Sequence, residues 1–165
     1  MVLDEALAPL PLPEAAIGLE ANWRFGPASK PVADRSYRQL GFTPEGVGLR
    51  PFSVVHVRQP WRVAREPGDL VIAWTRRSRA LAADSWTAAE APLAEEREAY
   101  EAEVLDGTSV VRMLATTTAS ATYTAAQQLA DFGMLLGPGD TLSIRIFQLS
   151  ALVGRGAPAS VTLEF

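Results

Sequence analysis

The residues that could perform chemistry in this sequence are few, and they do not stand in a catalytic spacing. His56 is the single histidine, and the chain of 165 residues contains no cysteine. A histidine that acts as a general base needs a nucleophile and an orienting acid, and the residues next to His56 supply neither. The missing thiols exclude a cysteine nucleophile, a disulfide framework and a thiolate metal site. We therefore expect His56 to be structural or superficial, and the chain to be non-enzymatic, without a metal or a cofactor.

Two short stretches have the letters of phosphate-handling motifs but not their context. DFG at 131–133 occurs without the Gly-rich loop, strand lysine and HRD of a kinase, so it is interpreted as a helix that ends in glycine. GPGD at 137–140 has no phosphate-binding lysine after it, and it is interpreted as a turn that leads into a strand.

Charged residues are clustered by sign. One block is basic and the next is acidic: Arg58, Arg62, Arg65, Arg76, Arg77 and Arg79, then Glu90, Glu95, Glu96, Glu98, Glu101 and Glu103. The simpler interpretation is solvated faces with ion pairs between neighbouring strands, each worth little if exposed. The functional interpretation is an electrostatically complementary interface with another subunit or with a cell surface.

Tryptophans give a second set of interface candidates. Trp61 and Trp86 fall in predicted loops, whereas Trp74 falls in a predicted core strand. A loop tryptophan can stack on a sugar or anchor a protein interface, but it can equally cap a sandwich or hold the N-terminal segment. Together with the charge clusters, these observations give five candidate interface residues: Trp23, Trp61, Arg76, Arg77 and Trp86.

The elements that must position these residues are short strands. Alternating or valine-rich runs bounded by turn residues predict seven of them, at 53–59, 68–79, 98–107, 109–114, 119–126, 142–150 and 159–165. Asp106-Gly107 predicts a hairpin, and GRGAP predicts a tight connection between the last two strands. The alternation predicts a buried core of Trp74, Tyr100, Val104, Leu142, Ile144, Ile146 and Val161. The fold class that follows is all-β, an Ig-like antiparallel β-sandwich.

Helix is almost absent from this pattern. A single short helix is predicted at 125–133, where Gly133 serves as its C-cap. Residues 1–51 are rich in proline, glycine and scattered aromatics, and only RSYRQLGF and VGLRPF suggest strands there. We expect residues 1–51 to be an extended arm that docks on another surface, and residues 52–165 to be the sandwich.

Composition limits the possible partners. The net charge is −4, which argues against nucleic acid as a partner because phosphate binding needs a clustered basic surface. No apolar run approaches the ~20 residues of a membrane span, and the first residues lack the basic region of a signal peptide. We expect neither nucleic-acid binding nor membrane insertion.

Three features resemble a fibronectin type III domain over roughly residues 52–165. They are the tryptophan of LVIAWTR, the tyrosine that opens AYEAEVLDG, and the late segment TLSIRIFQLSALVGRGAPASVTL. That family usually has a tyrosine early in its penultimate strand, where this sequence has Leu142. The tyrosine-corner hydrogen bond is therefore expected to be missing.

A narrower resemblance runs from about residue 20 to the end. GVGLRPFSVVHVR, LVIAWTRRSR, DSW, EEREAYEAEVLDG, YTAAQQLADFG and IRIFQLSALVGRG occur in this order. They are similar to the C-terminal part of the large tail-tip protein of tailed phages and gene transfer agents, which also carries a TIM-barrel-like domain. The resemblance implies a virion protein at the distal end of the tail, normally a homotrimer, of which this chain is a C-terminal piece without the barrel and hub regions.

Function therefore has one favoured hypothesis and two rivals. The favoured one is a structural and adhesive tail-tip domain that contacts other tail proteins and a host surface glycan or outer-membrane protein. The first rival is a carbohydrate-binding β-sandwich module of a secreted protein. An enzyme is the second rival, and turnover of a peptidoglycan, polysaccharide or ester substrate that one point mutation abolishes would support it.

Overall fold

The computed structural model describes residues 11–59, 65–80 and 91–165. The chain divides into two compact units, Met1–Gly48 and Leu49–Phe165, here called the N-terminal and C-terminal units. No helix among the described residues is long and apolar enough to cross a membrane.

The N-terminal unit contains a two-stranded antiparallel sheet. Strand β1 (Ala21–Phe25) pairs with β2 (Arg38–Phe42), and Trp23 lies opposite Leu40. The strand predicted in RSYRQLGF is present as β2, whereas β1 was not predicted. The strand predicted in VGLRPF is wrong: Val47–Leu49 forms a 3-10 turn, which begins after Gly46 in the left-handed region at φ 60°.

A tyrosine organises the loop that joins these two strands. The Tyr37 hydroxyl lies 3.1 Å from the carbonyl oxygens of both Pro27 and Lys30. Its ring lies against the backbone of Gly26, where a Cβ would come within 2.6 Å of the ring. Only glycine allows this contact without displacement of the ring.

The C-terminal unit is a sandwich of two antiparallel sheets. The smaller sheet has the order β3-β4-β7, made of Val55–Arg58, Leu70–Thr75 and Ser120–Tyr123. The larger sheet has the order β10-β8-β5-β6, made of Ala159–Glu164, Thr141–Ser150, Tyr100–Asp106 and Ser109–Thr116. A two-residue strand, β9 (Gly154–Arg155), pairs with the end of β8. All seven predicted strands of this unit are present, and the all-β, fibronectin type III-like sandwich is confirmed.

Alternating strands fill the space between the two sheets. Leu70, Ile72 and Trp74 point inward from β4, and Tyr100, Ala102 and Val104 point inward from β5. The rings of Trp74 and Tyr100 meet edge to face with centroids 5.3 Å apart. The predicted core is confirmed except at Val161, which is only partly buried; Leu163 is the buried residue of β10.

The predicted helix is confirmed as α1 (Ala125–Phe132). Thr124 and Gln127 form a reciprocal capping box at its start, and Gly133 ends it in the left-handed region at φ 71°. Gln128 is fully buried: its Nε2 donates to the carbonyls of Gly68 and Tyr123, and its Oε1 accepts from the Leu136 N–H. One side chain thus links α1 to the start of β4, the end of β7 and the segment that leads to β8.

The two predicted turns also have their expected roles. Asp106 ends β5, and Gly107 follows at φ 59° in the hairpin to β6. GRGAP joins β8 to β10, and Gly156 lies where a Cβ would come within 2.5 Å of the Pro51 carbonyl oxygen. This close approach of two backbones requires glycine.

Candidate functional site

One end of the sandwich collects several connecting segments, and we call it the loop end. It comprises residues 76–80, 91–99, 117–119 and 151–158. Backbone hydrogen bonds hold these segments at the same end: the Trp74 N–H donates to the Ala119 carbonyl, and the Leu149 N–H donates to the Ala99 carbonyl. The Ala151 N–H also donates to the Glu96 carboxylate at 3.2 Å.

Ion pairs join the segment after β4 to the segment before β5. The Arg79 guanidinium lies 2.7 Å from the Glu95 carboxylate, and Arg76 lies 3.2 Å from Glu98. Arg76 also donates from Nε to the Ala91 carbonyl at 2.7 Å. These pairs bridge the two sheets, because β4 and β5 belong to different sheets. They are therefore not the pairs between neighbouring strands that the sequence predicted.

Glu98 continues this network into the core. Its carboxylate accepts a hydrogen bond from the Tyr100 hydroxyl at 2.8 Å. Burial, and then the hydrogen bond to Glu98, raise the pKa of Tyr100 well above its usual value. The phenol therefore stays protonated and acts as a permanent donor to Glu98.

Arg77 differs from Arg76 in its surroundings. Its side chain is exposed, and its guanidinium lies 5.2 Å from the centre of the Phe52 ring. Phe52, Leu93 and Leu152 each expose more than a third of their surface in this unit. Arg77 and these three apolar side chains are therefore accessible to a macromolecular partner.

The other predicted interface residues and His56 have different positions along the chain. Trp61 and Trp86 lie outside the described residues. Trp23 belongs to β1 of the N-terminal unit, where it is half-buried. His56 is exposed on β3 at a bulge, with a φ of 52° that is unusual for a residue other than glycine.

The acidic residues of β5 have partners that the sequence did not assign to them. Arg145 lies directly opposite Glu103 in the β5–β8 register, and its guanidinium is 2.6 Å from that carboxylate. Arg155 in β9 lies 2.7 Å from Glu103 and 2.6 Å from Glu101, and it stacks on the Phe147 ring at 4.6 Å. Burial alone would raise the pKa of Glu103, but the hydrogen bonds from Arg145 and Arg155 outweigh it and lower that pKa. The alternation of β8 could have revealed Arg145, since it shares the outward face with Phe147.

No described group of three or more histidine, aspartate or glutamate side chains is placed to hold a metal ion. The charged residues of the loop end and of β5 described above are joined in ion pairs, whereas Arg77, Phe52, Leu93 and Leu152 are exposed.

Comparisons with known proteins concern the fold. No protein-family model and no curated protein matches the sequence. Among solved structures, domains d3-d4 of the rat CD45 extracellular region are similar at 10% identity, with 98% of this chain and 72% of that chain covered and a TM-score of 0.44. The structure of FN3tt mut is similar at 11% identity, with 70% of this chain and 96% of that chain covered and a TM-score of 0.44. The spore cortex lytic enzyme SleM of Clostridium perfringens is similar at 12% identity, with 87% and 38% covered and a TM-score of 0.40. The fold assignment rests on the strand order and register described above.

Proposed function

We propose that this chain is a non-catalytic structural domain of the tail tip of a tailed phage or gene transfer agent. It contributes to tail-tip assembly and to attachment to the host cell surface. The sequence resemblance from about residue 20 to the end supports this assignment.

The observation that carries the proposal is a face of the β1–β2 hairpin that is apolar except at one end. Residues opposite each other in an antiparallel pair share a face, so Trp23, Phe25, Leu40 and Phe42 lie on one side of this sheet, together with Ala21 and with Arg38 opposite Phe25. Asn22, Arg24 and Gln39 lie on the other. We call the first side the hairpin face. Phe25, Leu40 and Phe42 each expose half or more of their surface.

Such a face is characteristic of an element that is completed by assembly. An isolated two-stranded sheet is marginally stable in water, and each large apolar side chain gains roughly 1.5–3 kcal/mol on full burial. A neighbouring subunit of a homotrimeric tail tip is the occupant that we propose for this face. The hairpin then locks one subunit to the next.

The test is incorporation into particles. Leu40→Asp places a carboxylate on the hairpin face and should reduce the amount of tail-tip protein in purified particles by at least about tenfold. Gln39→Asp introduces the same charge on the opposite face, so it is the matched control and should leave incorporation unchanged. Equal incorporation of both variants, or immunolabelling away from the tail tip, would contradict the proposal.

The carbohydrate-binding alternative has less support in the described residues. Sugar recognition commonly uses the open face of an aromatic ring, whereas in the described C-terminal unit Arg77 lies over Phe52, Arg155 lies over Phe147, and Trp74 is buried. Glycan binding by the isolated chain that is lost on substitution of Trp61 or Trp86 would favour this alternative.

A further inference from the structure

Positive charge is concentrated around the loop that joins β1 to β2, residues 26–37, which we call the tip loop. Four cations and one carboxylate, a net charge of +3, lie within residues 24–38: Arg24, Lys30, Arg35, Arg38 and Asp34. The other described residues of the N-terminal unit have three carboxylates and no cation: Glu14, Glu20 and Glu45. The whole chain has a net charge of −4. A short segment of an acidic chain therefore has the opposite sign.

The two signs lie toward opposite ends of the β1–β2 hairpin. Arg38 pairs with Phe25 next to the tip loop, whereas Glu20 lies against Gly41 near the other end. Strands of five residues separate the two ends by roughly 14 Å, which exceeds the Debye length of about 8 Å at physiological ionic strength. An anionic surface that meets the tip loop therefore interacts mainly with its positive charge.

The four cations are accessible to such a surface. Their side chains are exposed, and none of them forms an ion pair with another described residue. Asp34 is instead engaged within the tip loop, where its Oδ1 accepts from the N–H of Ser36 at 2.9 Å and from the Ser36 hydroxyl at 2.8 Å.

Hydrogen bonds fix the backbone of the tip loop. Three turns follow one another along it, in which the N–H groups of Lys30, Asp34 and Tyr37 donate to the carbonyls of Pro27, Pro31 and Asp34. The Tyr37 hydroxyl lies between the carbonyl oxygens of Pro27 and Lys30 and closes the loop. A loop whose shape is already fixed loses less conformational entropy when it binds a partner.

The middle of the tip loop is apolar and is flanked by cations. Pro31, Val32 and Ala33 lie between Lys30 and Arg35 in the sequence. Val32 exposes 56% of its surface. An exposed apolar group between cations matches the boundary of a bilayer, where phosphate groups lie above acyl chains.

The cations also lie on both faces of the hairpin. Arg24 is opposite Gln39 and Arg38 is opposite Phe25, so the two arginines point to opposite sides of the sheet. A flat patch on another protein would contact the cations of one side only. A layer of anionic groups that the hairpin meets end-on can contact the cations of both sides, and this geometry favours a lipid surface.

We propose that the tip loop binds the surface of a membrane that contains anionic phospholipids. Val32 contacts the boundary between headgroups and acyl chains, and the surrounding cations bind the lipid phosphates. Contact at the level of the headgroups needs no membrane-spanning segment. The biological role of this contact rests on the proposed attachment to a host cell surface, whereas the contact itself is a property of the N-terminal unit.

The first test is cosedimentation of the 165-residue chain with vesicles of equal parts phosphatidylcholine and phosphatidylglycerol. We expect binding that weakens as the salt concentration rises and that is absent with phosphatidylcholine alone. Lys30→Ala and Arg35→Ala should each weaken binding roughly fivefold. Arg58→Ala makes the same change of charge at an exposed position of β3 and should leave binding unchanged. Glycerol phosphate at the same total phosphate concentration should not compete with the vesicles.

The second test separates a docked loop from a general effect of charge. Val32→Asp introduces a carboxylate in the tip loop and should weaken vesicle binding by at least about tenfold. Val47→Asp introduces the same charge at a comparably exposed position of the same unit, outside the tip loop, and should have a much smaller effect. Tyr37→Phe keeps the charge but removes the hydroxyl that closes the loop, so it should weaken binding about threefold.

The results that would overturn the proposal are specific to lipid binding. They are equal binding to the two kinds of vesicle, displacement by glycerol phosphate, an unchanged Lys30→Ala variant, or equal effects of Val32→Asp and Val47→Asp. Such a failure would leave the proposed tail-tip assembly untouched, because Leu40→Asp tests that assembly by incorporation into particles. Lys30→Ala and Arg35→Ala should be incorporated into particles as the parent chain is.

Discussion

Asp131 is the carboxylate that ties three elements of the C-terminal unit together. From α1 it accepts hydrogen bonds from Arg112 of β6 and, at 2.8 Å, from the hydroxyl of Tyr123 of β7. Its side chain is only 8% exposed. Asp131 lies in the connection between β7 and β8. For this region the sequence predicted that the tyrosine-corner hydrogen bond would be missing, because Leu142 stands where fibronectin type III domains usually have a tyrosine. Leu142 is buried in the core.

A pH dependence follows from the ionisation of Asp131. The hydrogen bonds from Arg112 lower the pKa of Asp131, an effect that outweighs the opposing effect of burial. A carboxyl whose pKa is lower in the folded than in the unfolded state stabilises the fold above its unfolded pKa, about 3.9. That stabilisation is lost as the pH falls through the folded pKa.

We therefore expect Asp131→Asn to lower the free energy of unfolding at pH 7 and to flatten its decline below about pH 4. Urea denaturation at several pH values measures both effects. The control is Asp106→Asn, at an exposed position of the β5–β6 hairpin. If Asp131→Asn and the parent chain lost stability in parallel between about pH 4 and pH 2, the Arg112–Asp131 pair would not be the source of the dependence.

Elements with a strict alternation were predictable, and elements held by distant contacts were not. β4, β5 and β8 each bury one face, so their alternation sets the register in the sequence itself. β1 also alternates, as ANWRF, but it has only five residues and none of them is buried, so this short run between proline- and glycine-rich segments was not recognised as a strand. β9 has two residues and exists because it pairs with the end of β8, which no local pattern encodes.

The same reasoning explains what could be predicted of the candidate site. The sequence identified the basic and acidic clusters, and Arg76 and Glu98 do pair. It could not identify Arg155 as the partner of Glu101 and Glu103, since that contact depends on where β9 lies beside β8. Ion-pair partners between distant strands are fixed by register and not by composition.

The anchoring of α1 gives a prediction at the scale of the element. Gln128→Leu keeps a similar volume but leaves the carbonyls of Gly68 and Tyr123 and the Leu136 N–H without their buried partner. Each such group costs about 1–3 kcal/mol, so we expect a loss of about 3 kcal/mol or more in the free energy of unfolding. Thr124→Ala removes only the N-cap of the same helix and should cost about 1 kcal/mol.

Chemical denaturation of the two variants tests this ranking. If Thr124→Ala proved as destabilising as Gln128→Leu, the buried hydrogen bonds of Gln128 would contribute no more to the free energy of unfolding than the helix cap does. Gln128 would then not be the main attachment of α1 to the sandwich.

The two units of the molecule differ in where their apolar side chains lie. The buried hydrophobic residues of the described chain run from Val54 to Leu163, all in the C-terminal unit. The described part of the N-terminal unit instead has large apolar residues that are half or more exposed: Leu19, Phe25, Val32, Leu40, Phe42 and Val47. We therefore expect the stability of the sandwich not to depend on residues 11–48.

Removal of the N-terminal unit tests this division. A chain of residues 49–165 should unfold cooperatively, with a melting temperature within about 4–8 °C of that of the 165-residue chain, the shift that 1 kcal/mol produces in a small domain.

Limited proteolysis gives a second test of the N-terminal unit. In the isolated 165-residue chain, a protease should cut within residues 1–48 before it cuts the sandwich, because a two-stranded sheet with an exposed apolar face opens readily. In assembled particles we expect the same sites to be protected, since the neighbouring subunit covers the hairpin face. Resistance of residues 1–48 in a dilute monomer, together with a large loss of stability on their removal, would show that the hairpin belongs to the fold of its own chain, and the proposed lock between subunits would fail.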